Sequence, residues 1–382
     1  MILHLERKFT APTEVFIADQ VNFQNEYKNV VFTARHLNHL KINAEVFESP
    51  TGWANNVKII SGKQIRFLKG KYSELRPDVV HSHFLTDASY FHPFTSKIDI
   101  PKICSAYGYD VSRFPKYFWG FGEWYLKRIF DSYNCFLAMS NDMADDLEQL
   151  GCPHHKIRIH YHGIDTQLFK VDRVYNDSET FNILTIASLV PKKGHLTVLK
   201  SLVTLKKMRP KLNFFYTIVG KGVLLEELQK FVAENGLNPN VEFKGHVSHG
   251  EEFLKILEQA DVFVHPSITD QAGDKEGIPG TIVQAMASSL PVIATHHAGI
   301  PDVIRANWNG LLIKERDDLQ LAEFLSELSE NSKKRELLGK NAFNTAVNEL
   351  DVRQKTKNLI NIYQTELAYG DVRHKPIVKL SI

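Results

Sequence analysis

The sequence predicts an α/β fold built from two Rossmann-like domains. With 382 residues, the chain is too long for one ordinary core and suits two. Short β-branched or aromatic runs alternate with longer amphipathic stretches, which is typical of βαβ units and parallel sheets. The polar, aperiodic segment 170–180 separates one such series from the next and is the predicted linker.

The two series contain nine predicted strands and ten predicted helices, followed by a last helix. The strands are expected at 29–34, 78–83, 102–107 and 135–140, then at 181–188, 213–220, 241–245, 261–266 and 291–295. The helices are expected at 13–26, 62–75, 116–131 and 142–150, then at 193–208, 222–236, 249–259, 279–288, 317–328 and 331–348. The predicted domains are 1–170 and 178–349, and the C-terminal helix (about 350–382) is the candidate to pack back on the first domain.

Composition excludes several classes of protein. The 46 basic and 44 acidic residues nearly cancel, so no nucleic-acid partner is expected, because such a partner usually requires a basic excess. Cys104, Cys135 and Cys152 form no CxxC motif, which indicates buried free thiols in a reducing compartment. The first residues carry charges that a signal peptide would lack. The longest uncharged run, between Glu276 and Asp302, contains prolines and glycines that disfavour a membrane span. The expected location is therefore the cytoplasm.

The segment DKEGIPGTIVQAMA contains the first candidate site. Pro279 predicts a helix start, so the backbone N–H groups from Gly277 to Thr281 would face the carboxyl end of the preceding strand. Ligands of open α/β sheets lie at that edge, and helix N-termini favour phosphate. Glu276 and Gln284 lie roughly 12 Å apart along a helix, a spacing that fits the sugar and the ribose of a nucleotide sugar. A buried helix with a glutamate near its positive end fits equally well.

Two turns that precede helices add weaker candidates. Lys192 and Lys193, next to Gly194, fit the neutralisation of a diphosphate, although a solvated loop with surface lysines is the ordinary alternative. The VGKG turn (219–222) lacks the GxGxxG spacing, and no such motif follows any predicted strand. A nicotinamide or flavin dehydrogenase is therefore disfavoured, and a plain glycine turn explains VGKG equally well.

The first half offers polar residues at strand ends. Tyr107 and Asp110 follow a strand, where a carboxylate could meet sugar hydroxyls, and a turn-forming aspartate is the alternative. His81 and His83 share one face of a strand, but no third metal ligand stands at a recognised spacing. The chain has no GxSxG, HExxH, Walker A or DxD motif. A diphosphate would therefore be neutralised by lysine and helix N-termini, without a metal.

Together these segments resemble the retaining glycosyltransferases of family 4, which have the GT-B fold, and especially those that build exopolysaccharides such as colanic acid. The collinear motifs are PTEVFI (12–17), RPDVVHSHF (76–84), YGYDVSRFPK (107–116), LAMSNDM (137–143), HGIDTQLF (162–169), LVPKKG (189–194), GKG (220–222), FKGHV (243–247), ADVFVHPS (260–267), EGIPGTIVQAMA (276–287), AGIPDVI (298–304) and NGLLI (309–313). The resemblance implies two domains that face each other across a cleft, with 1–170 on the acceptor side and 178–349 binding the nucleotide sugar.

The resemblance also implies a role for each site residue. Glu276 would contact hydroxyls of the donor sugar, and Lys193 would bind the diphosphate and stabilise the departing nucleotide. Asp110 and Tyr107 would lie on the acceptor side, near the reacting sugar. The remaining donor-binding residues are Ser188, Lys192, Gly194, Gly220, Gly277, Ile278, Pro279 and Gln284, with the base held at His246 and Val247.

Three of these positions depart from the family pattern. Gln284 stands where the family usually has Glu at the ribose. Ser188 replaces the usual Arg, which costs a phosphate contact worth roughly 1.5–3 kcal/mol unless Lys192 substitutes. Tyr107 replaces the usual His, and a tyrosine can donate a hydrogen bond but is neutral at pH 7. These departures leave open a non-catalytic donor-binding subunit of a transferase complex. A sugar-nucleotide epimerase is a third interpretation.

The expected function is that of a retaining, metal-independent hexosyltransferase with no cofactor. It would move a hexose from a UDP- or GDP-hexose to a glycan or lipid-linked acceptor in cell-surface polysaccharide assembly. Segment 116–130 mixes aromatic residues with Lys116, Lys127 and Arg128, so it is a candidate for peripheral contact with the inner face of the plasma membrane. An amphipathic helix packed on the sheet, with its basic residues in water, is the alternative.

Overall fold

A computed structural model describes residues 1–10, 14–37, 40–49, 60–116, 120–176 and 179–373, with side chains up to 369. The chain divides into two compact units. One unit comprises Met1–Gly163 and the helix that begins at Val352, and the other comprises Ile164–Asp351. Each unit contains its own parallel sheet, so the predicted α/β class with two Rossmann-like units is confirmed.

The first unit contains a sheet of seven parallel strands. In chain order these are β1 (Ile2–Phe9), β2 (Asn29–His36), β3 (Glu45–Glu48), β4 (Val79–His83), β5 (Lys102–Ser105), β6 (Cys135–Ala138) and β7 (Ile157–Ile159). Their order across the sheet is β3-β2-β1-β4-β5-β6-β7. The connections turn in opposite directions on the two sides of β1 and β4, as in doubly wound nucleotide-binding folds.

Among the described residues, six α-helices connect these strands. They are α1 (Val15–Phe23), α2 (Gly62–Leu75), α3 (Leu85–Thr95), α4 (Tyr109–Ser112), α5 (Phe121–Phe130) and α6 (Asn141–Gln149). The start of α2 follows from its sequence, because Ser61 and Gln64 form a reciprocal capping box that satisfies two free N–H groups. Ser140 caps α6 in a similar way by accepting from the backbone N–H of Met143.

Five described elements of the first unit were not predicted from the sequence. They are strands β1, β3 and β7 and helices α3 and α4. Strand β1 contains His4 and Glu6 among its apolar residues, and such polar residues usually indicate a surface segment. Both side chains are nevertheless almost fully buried in the centre of the sheet. Helix α3 is buried around most of its circumference and therefore lacks the amphipathic period. The helix expected at 116–131 begins at Phe121, and residues 117–119 lie outside the described part of the chain.

The second unit contains a sheet of six parallel strands. In chain order these are β8 (Phe181–Ile186), β9 (Phe214–Val219), β10 (Val241–Gly245), β11 (Val262–His265), β12 (Val292–Thr295) and β13 (Leu311–Ile313). The helices are α7 (His195–Met208), α8 (Leu225–Glu234), α9 (Glu251–Gln259), α10 (Gly280–Ala287), α11 (Asp318–Glu330) and α12 (Ser332–Glu349). All of these elements except β13 were predicted, with boundaries that differ by a few residues.

The strand order of the second sheet fixes where its functional loops meet. The order is β10-β9-β8-β11-β12-β13, so β8 and β11 are neighbours although β9 and β10 follow β8 along the chain. The connections after β8 and β11 leave in opposite directions, and open α/β sheets bind ligands at such a switch point. A continuous apolar core that includes Leu202, Val264 and Leu325 holds the helices against this sheet.

The last helix, α13 (Val352–Arg373), belongs to the first unit. Its fully buried Tyr363 packs with Ile2 and Val79. None of the helices in the described ranges is long and apolar enough to cross a membrane. The three cysteines are free and buried, as the sequence predicts.

Candidate functional site

The loops after β8 and β11 bring four charged side chains together. Lys193 Nζ lies 2.9 Å from Glu276 Oε2. Lys192 Nζ lies 3.5 Å from Glu276 Oε1 and 3.3 Å from Asp274 Oδ2. The side chains of Lys193 and Glu276 are only 14% and 10% exposed. Two predicted site residues that are far apart in sequence therefore form one cluster at the switch point of the second sheet.

Both lysines keep Glu276 ionised. Burial alone would raise the pKa of the Glu276 carboxyl, but the ammonium groups of Lys193 and Lys192 outweigh it and lower the pKa to about 2. Burial would lower the pKa of Lys192, but Glu276 and Asp274 outweigh it and raise that pKa. Glu276 Oε1 accepts no hydrogen bond from the described residues, so this buried, charged oxygen is available to a ligand hydroxyl.

Two glycines allow the close approach of the loops around this cluster. Gly194 has a positive φ of 68°, and a Cβ there would lie 1.9 Å from the carbonyl oxygen of Pro266, directly after β11. Gly220 has a φ of 149°, and a Cβ there would lie 1.9 Å from the carbonyl oxygen of Ala187, after β8. Any side chain at either position would push the loops apart, so both glycines set the spacing of the site.

The start of α10 differs from the prediction. The helix begins at Gly280, and Pro279 is its N-cap residue, with φ −61° and ψ 121°. The expectation that Pro279 occupies the first helical turn is therefore wrong by one residue. Gly277 and Ile278 lie in the loop before the helix, and Pro279 has no N–H to offer. The free N–H groups of the first turn start at Gly280.

Gln284 occupies the buried face of α10. Its Nε2 donates to His249 Nε2 at 3.3 Å, and its Oε1 has no partner among the described residues. His246 and Val247 precede His249 in the connection between β10 and α9, where His246 is exposed and Val247 half-buried. The buried amide oxygen of Gln284 is therefore a second acceptor on the helix that follows Glu276.

Ser188 is exposed after β8, and its carbonyl oxygen accepts from His195 Nε2 at 3.0 Å. His195 was not among the site residues predicted from the sequence. Its ring is buried at the start of α7, and burial lowers its pKa to about 4, so it is neutral at pH 7 and fixes the turn that carries Lys192 and Lys193. A histidine directly after a predicted loop glycine is the sequence signal for this role.

In the first unit, Asp110 accepts hydrogen bonds from the backbone. Its carboxylate accepts from the backbone N–H groups of Leu85 at 2.8 Å, Tyr107 at 3.0 Å and Gly108 at 3.1 Å. Burial raises the pKa of Asp110 to about 6, although these N–H groups oppose the shift. The contacts are those of a turn-forming aspartate, and they hold the ends of β4 and β5 together.

His4 joins His81 and His83, which the sequence spacing could not show. The side-chain nitrogens of the three buried histidines lie within 4.8 Å of one another, because β1 and β4 pair with His4 opposite His81. His81 is bonded to Tyr363 at 2.6 Å and to Ser105 at 2.8 Å. All six ring nitrogens have a hydrogen-bond partner, so the cluster is a hydrogen-bonded network.

The direction of this network can be worked out from one amide. The Asn29 nitrogen donates to two backbone carbonyls, so its Oδ1 accepts from His4 Nε2 at 3.2 Å. Burial lowers the pKa of His4 to about 4, and the neutral His4 Nδ1 must accept from His83 Nε2 at 3.1 Å. His83 Nδ1 then accepts from the Tyr107 hydroxyl at 2.8 Å. Tyr107 therefore donates its hydroxyl proton to His83, within the first unit.

Two further residues near Glu276 were missed. His297 follows β12 and Glu315 follows β13, and their side chains lie 2.6 Å apart. His297 also contacts the backbone of Glu276. The sequence offered only the position of His297 after the predicted strand 291–295, and it offered no such signal for Glu315, because β13 was not predicted.

Comparison with known proteins matches both halves of the chain to glycosyltransferase families. The model described as glycosyl transferases group 1 matches residues 170–345, and the model described as glycosyltransferase family 4 matches residues 24–168. The chain is 32% identical over 204 residues to the putative colanic acid biosynthesis glycosyltransferase WcaL of Escherichia coli, covering 53% of this chain and 50% of that protein. It is 34% identical over 203 residues to the amylovoran biosynthesis glycosyltransferase AmsK of Erwinia amylovora, covering 53% and 49%.

The alignments thus span about half the length of these curated relatives. Among solved structures, Anabaena HepE in complex with UDP has a TM-score of 0.78 and 17% identity, covering 95% of this chain and 99% of that chain. The sucrose-phosphate synthase of Thermosynechococcus elongatus has a TM-score of 0.76 and 15% identity, covering 96% and 99%. These likenesses show the fold. That fold is GT-B, and the two family models identify residues 24–168 as a glycosyltransferase family 4 region and residues 170–345 as a glycosyl transferases group 1 region.

Proposed function

We propose that this protein is a hexosyltransferase that moves a hexose from a nucleotide sugar to a glycan or lipid-linked acceptor in cell-surface polysaccharide assembly. The observation that carries the proposal is the buried Lys193–Glu276 pair at the switch point of the second sheet. A cation that can meet a diphosphate stands there beside a charged acceptor that can meet sugar hydroxyls. The names of WcaL and AmsK, and the HepE structure with UDP-glucose, support the same class of reaction.

In the proposed reaction, each part of the donor meets one group of side chains. Glu276, held ionised, accepts hydrogen bonds from sugar hydroxyls, and such charge-assisted bonds are about twice as strong as neutral ones. Lys193 pairs with the diphosphate and stabilises the negative charge that develops as the bond between sugar and phosphate breaks. Gln284 accepts from the ribose, and the base lies by the backbone of His246 and Val247.

Lys192 is the candidate to replace the arginine that Ser188 lacks. Its ammonium group lies in the same cluster, within 3.5 Å of Glu276 and 3.3 Å of Asp274. A bound diphosphate would compete with these carboxylates for both lysines. A second cation would then be present at the phosphates without any metal, which supports a metal-independent reaction.

The donor class can be tested with purified protein and UDP-, GDP- and ADP-sugars. We expect one nucleotide to raise the unfolding temperature and its sugar donor to release that nucleotide slowly, faster once a glycan or lipid-linked acceptor is supplied. NMR of the product should show the anomeric configuration of the donor. Binding without release would identify a donor-binding subunit, and a changed sugar on an intact nucleotide would identify an epimerase. Either result would contradict the proposal.

Removal of divalent metals is expected to leave the rate unchanged. The reason is that the diphosphate charge would be met by Lys192 and Lys193, which lie together at the site. The measurement is the initial rate of nucleotide release with and without EDTA, with EDTA saturated by calcium as the control for the chelator itself. Strong inhibition that added Mg²⁺ or Mn²⁺ reverses would refute metal independence.

We also propose that α5 contacts an anionic membrane on the cytoplasmic side, where a lipid-linked acceptor would be presented. Phe121 and Trp124 are 55% and 57% exposed, which is unusual for aromatic side chains on a soluble helix. Lys127 and Arg128 lie in the last turn of the same helix. Exposed aromatic residues next to basic ones are typical of helices that lie in the membrane interface.

Replacing both Phe121 and Trp124 by serine is expected to weaken binding to vesicles that contain anionic lipid, measured by sedimentation, at least about 100-fold, since each buried ring contributes roughly 1.5–3 kcal/mol. Leu319→Ser is the matched control, because Leu319 is 56% exposed on a helix of the second unit. Sedimentation of the double variant at the wild-type level would show that α5 is not the contact.

A further inference from the structure

His297 contacts the backbone of the central glutamate of the site. The N–H of Glu276 donates to His297 Nε2 at 3.2 Å. Since Nε2 accepts, a neutral imidazole carries its proton on Nδ1, which then donates to Glu315 Oε1 at 2.6 Å. The His297 side chain is 1% exposed, so water has little access to this bond.

Glu315 extends the same set of bonds to the other end of the loop. Its Oε2 accepts from the backbone N–H of Thr269 at 3.1 Å, and its Oε1 accepts from the Thr269 hydroxyl at 3.2 Å. Burial would raise the pKa of Glu315, but the bonds from His297 and Thr269 outweigh it and lower the pKa. The carboxylate is therefore ionised and is a strong acceptor at neutral pH.

One histidine–glutamate pair thus holds both ends of the loop that carries Glu276. Thr269 lies near the start of this loop, after β11, and Glu276 lies near its end, before α10. Inside the loop, Asp270 accepts from the backbone N–H groups of Ala272 at 2.8 Å and Asp274 at 2.9 Å. The loop is consequently fixed by bonds to the ends of β12 and β13.

We propose that His297 and Glu315 are positioning residues for Glu276. They hold its backbone so that the carboxylate stands 2.9 Å from Lys193 and presents Oε1 to the donor sugar. This inference rests on the proposed function. Groups that support a reacting residue from behind commonly set its orientation, and a misplacement of about 1 Å can cost about 100-fold in rate.

The test compares His297→Phe with His297→Gln. Phenylalanine keeps a planar ring but can neither donate nor accept a hydrogen bond. The backbone N–H of Glu276 therefore loses its acceptor, and the carboxylate of Glu315 loses its donor. Glutamine supplies a carbonyl oxygen and an amide N–H that can replace both bonds. We expect kcat to fall about 10- to 100-fold in H297F, with the affinity for the nucleoside diphosphate within about threefold, and we expect H297Q to recover about tenfold. A merely structural role would show as a lower unfolding temperature without this recovery.

A second variant covers the case in which H297F does not fold. Glu315→Gln keeps the size of the side chain and should lower kcat in the same direction. In the double variant that combines H297F with Glu315→Gln, the fall in kcat should be much smaller than the product of the two separate falls. Both changes break the same chain of hydrogen bonds. Independent, multiplicative effects would overturn the inference.

Backbone hydrogen exchange of residues 268–276, measured without substrate, separates the inference from the proposed function. Exchange should be faster in H297F and near the wild-type rate in H297Q. Equal exchange in wild type and H297F would overturn the positioning role, whatever the activity. A further outcome is that wild type releases no nucleotide from any sugar donor while H297F exchanges faster. The exchange result would then confirm the positioning of the loop, and the missing release would refute the proposed transfer reaction.

Discussion

Glu276→Gln is expected to lower turnover about 10²- to 10⁴-fold while leaving the fold intact. The wild-type carboxylate is ionised, with a pKa of about 2, and Oε1 accepts no hydrogen bond from the residues that the structure describes. Each charge-assisted bond to a sugar hydroxyl is worth about 1.5–3 kcal/mol, so two such bonds correspond to this range of rates. Glutamine preserves the volume of the side chain and removes only the charge and one acceptor.

The measurement is the steady-state rate of nucleotide release, with the unfolding temperature as the check on folding. Glu323→Gln is the matched control, because Glu323 is an exposed glutamate on α11 of the same unit. Turnover of Glu276→Gln near the wild-type rate would mean that the donor sugar does not lie against this carboxylate. Glu276→Ala should be at least as inactive, because it also leaves Lys193 without its partner.

Lys193→Met is expected to cost a similar factor and also to change the pH dependence. Without this cation, the leaving diphosphate loses its closest positive charge. Burial raises the pKa of Glu276, and without Lys193 the main group that opposes this shift is Lys192. The carboxylate works in its ionised form, which is present above its pKa and lost below it. The activity that remains in the variant should therefore fall as the pH is lowered through the acid range. The wild type should keep its activity there, because the pKa of its Glu276 is about 2.

The profile of kcat/KM between pH 5 and 8 checks this prediction. Lys200→Met is the control, because Lys200 is exposed on α7, the helix that follows Lys193. A wild-type rate in Lys193→Met would remove this lysine from the reaction. A reduced rate with an unchanged pH profile would show that Lys193 acts on the donor without setting the charge of Glu276.

The sequence predicted the second unit well because its elements show clear periodicity. Strands such as β9 and β11 are short apolar runs, and helices such as α8 and α9 each bury one face. The first unit was harder, since β1 buries His4 and Glu6 and α3 is buried nearly all round. In both elements, tertiary burial overrides the local pattern.

The sequence predicted those site residues whose role follows from their position directly after a predicted strand. Glu276 and Lys193 could be found because the strands before them end at the same edge of a sheet. His297 and Glu315 could not, since their role depends on the order β11-β12-β13, which the sequence does not state. The direction of the hydrogen bond of Tyr107 depends in the same way on His4 and His83, which reach it through strand pairing.

Calorimetric titration of the nucleoside diphosphate and of its sugar donor, with wild type and Glu276→Gln, tests the central claim most directly. If Lys192 and Lys193 hold the diphosphate and Glu276 holds the sugar, the variant should bind the diphosphate at least as tightly as wild type, because the charge of Glu276 no longer competes for the lysines. The variant should bind the intact donor at least about tenfold more weakly than wild type, the loss expected from one charged hydrogen bond. Equal affinity of the two proteins for the donor would place the sugar elsewhere and contradict the assignment of this site.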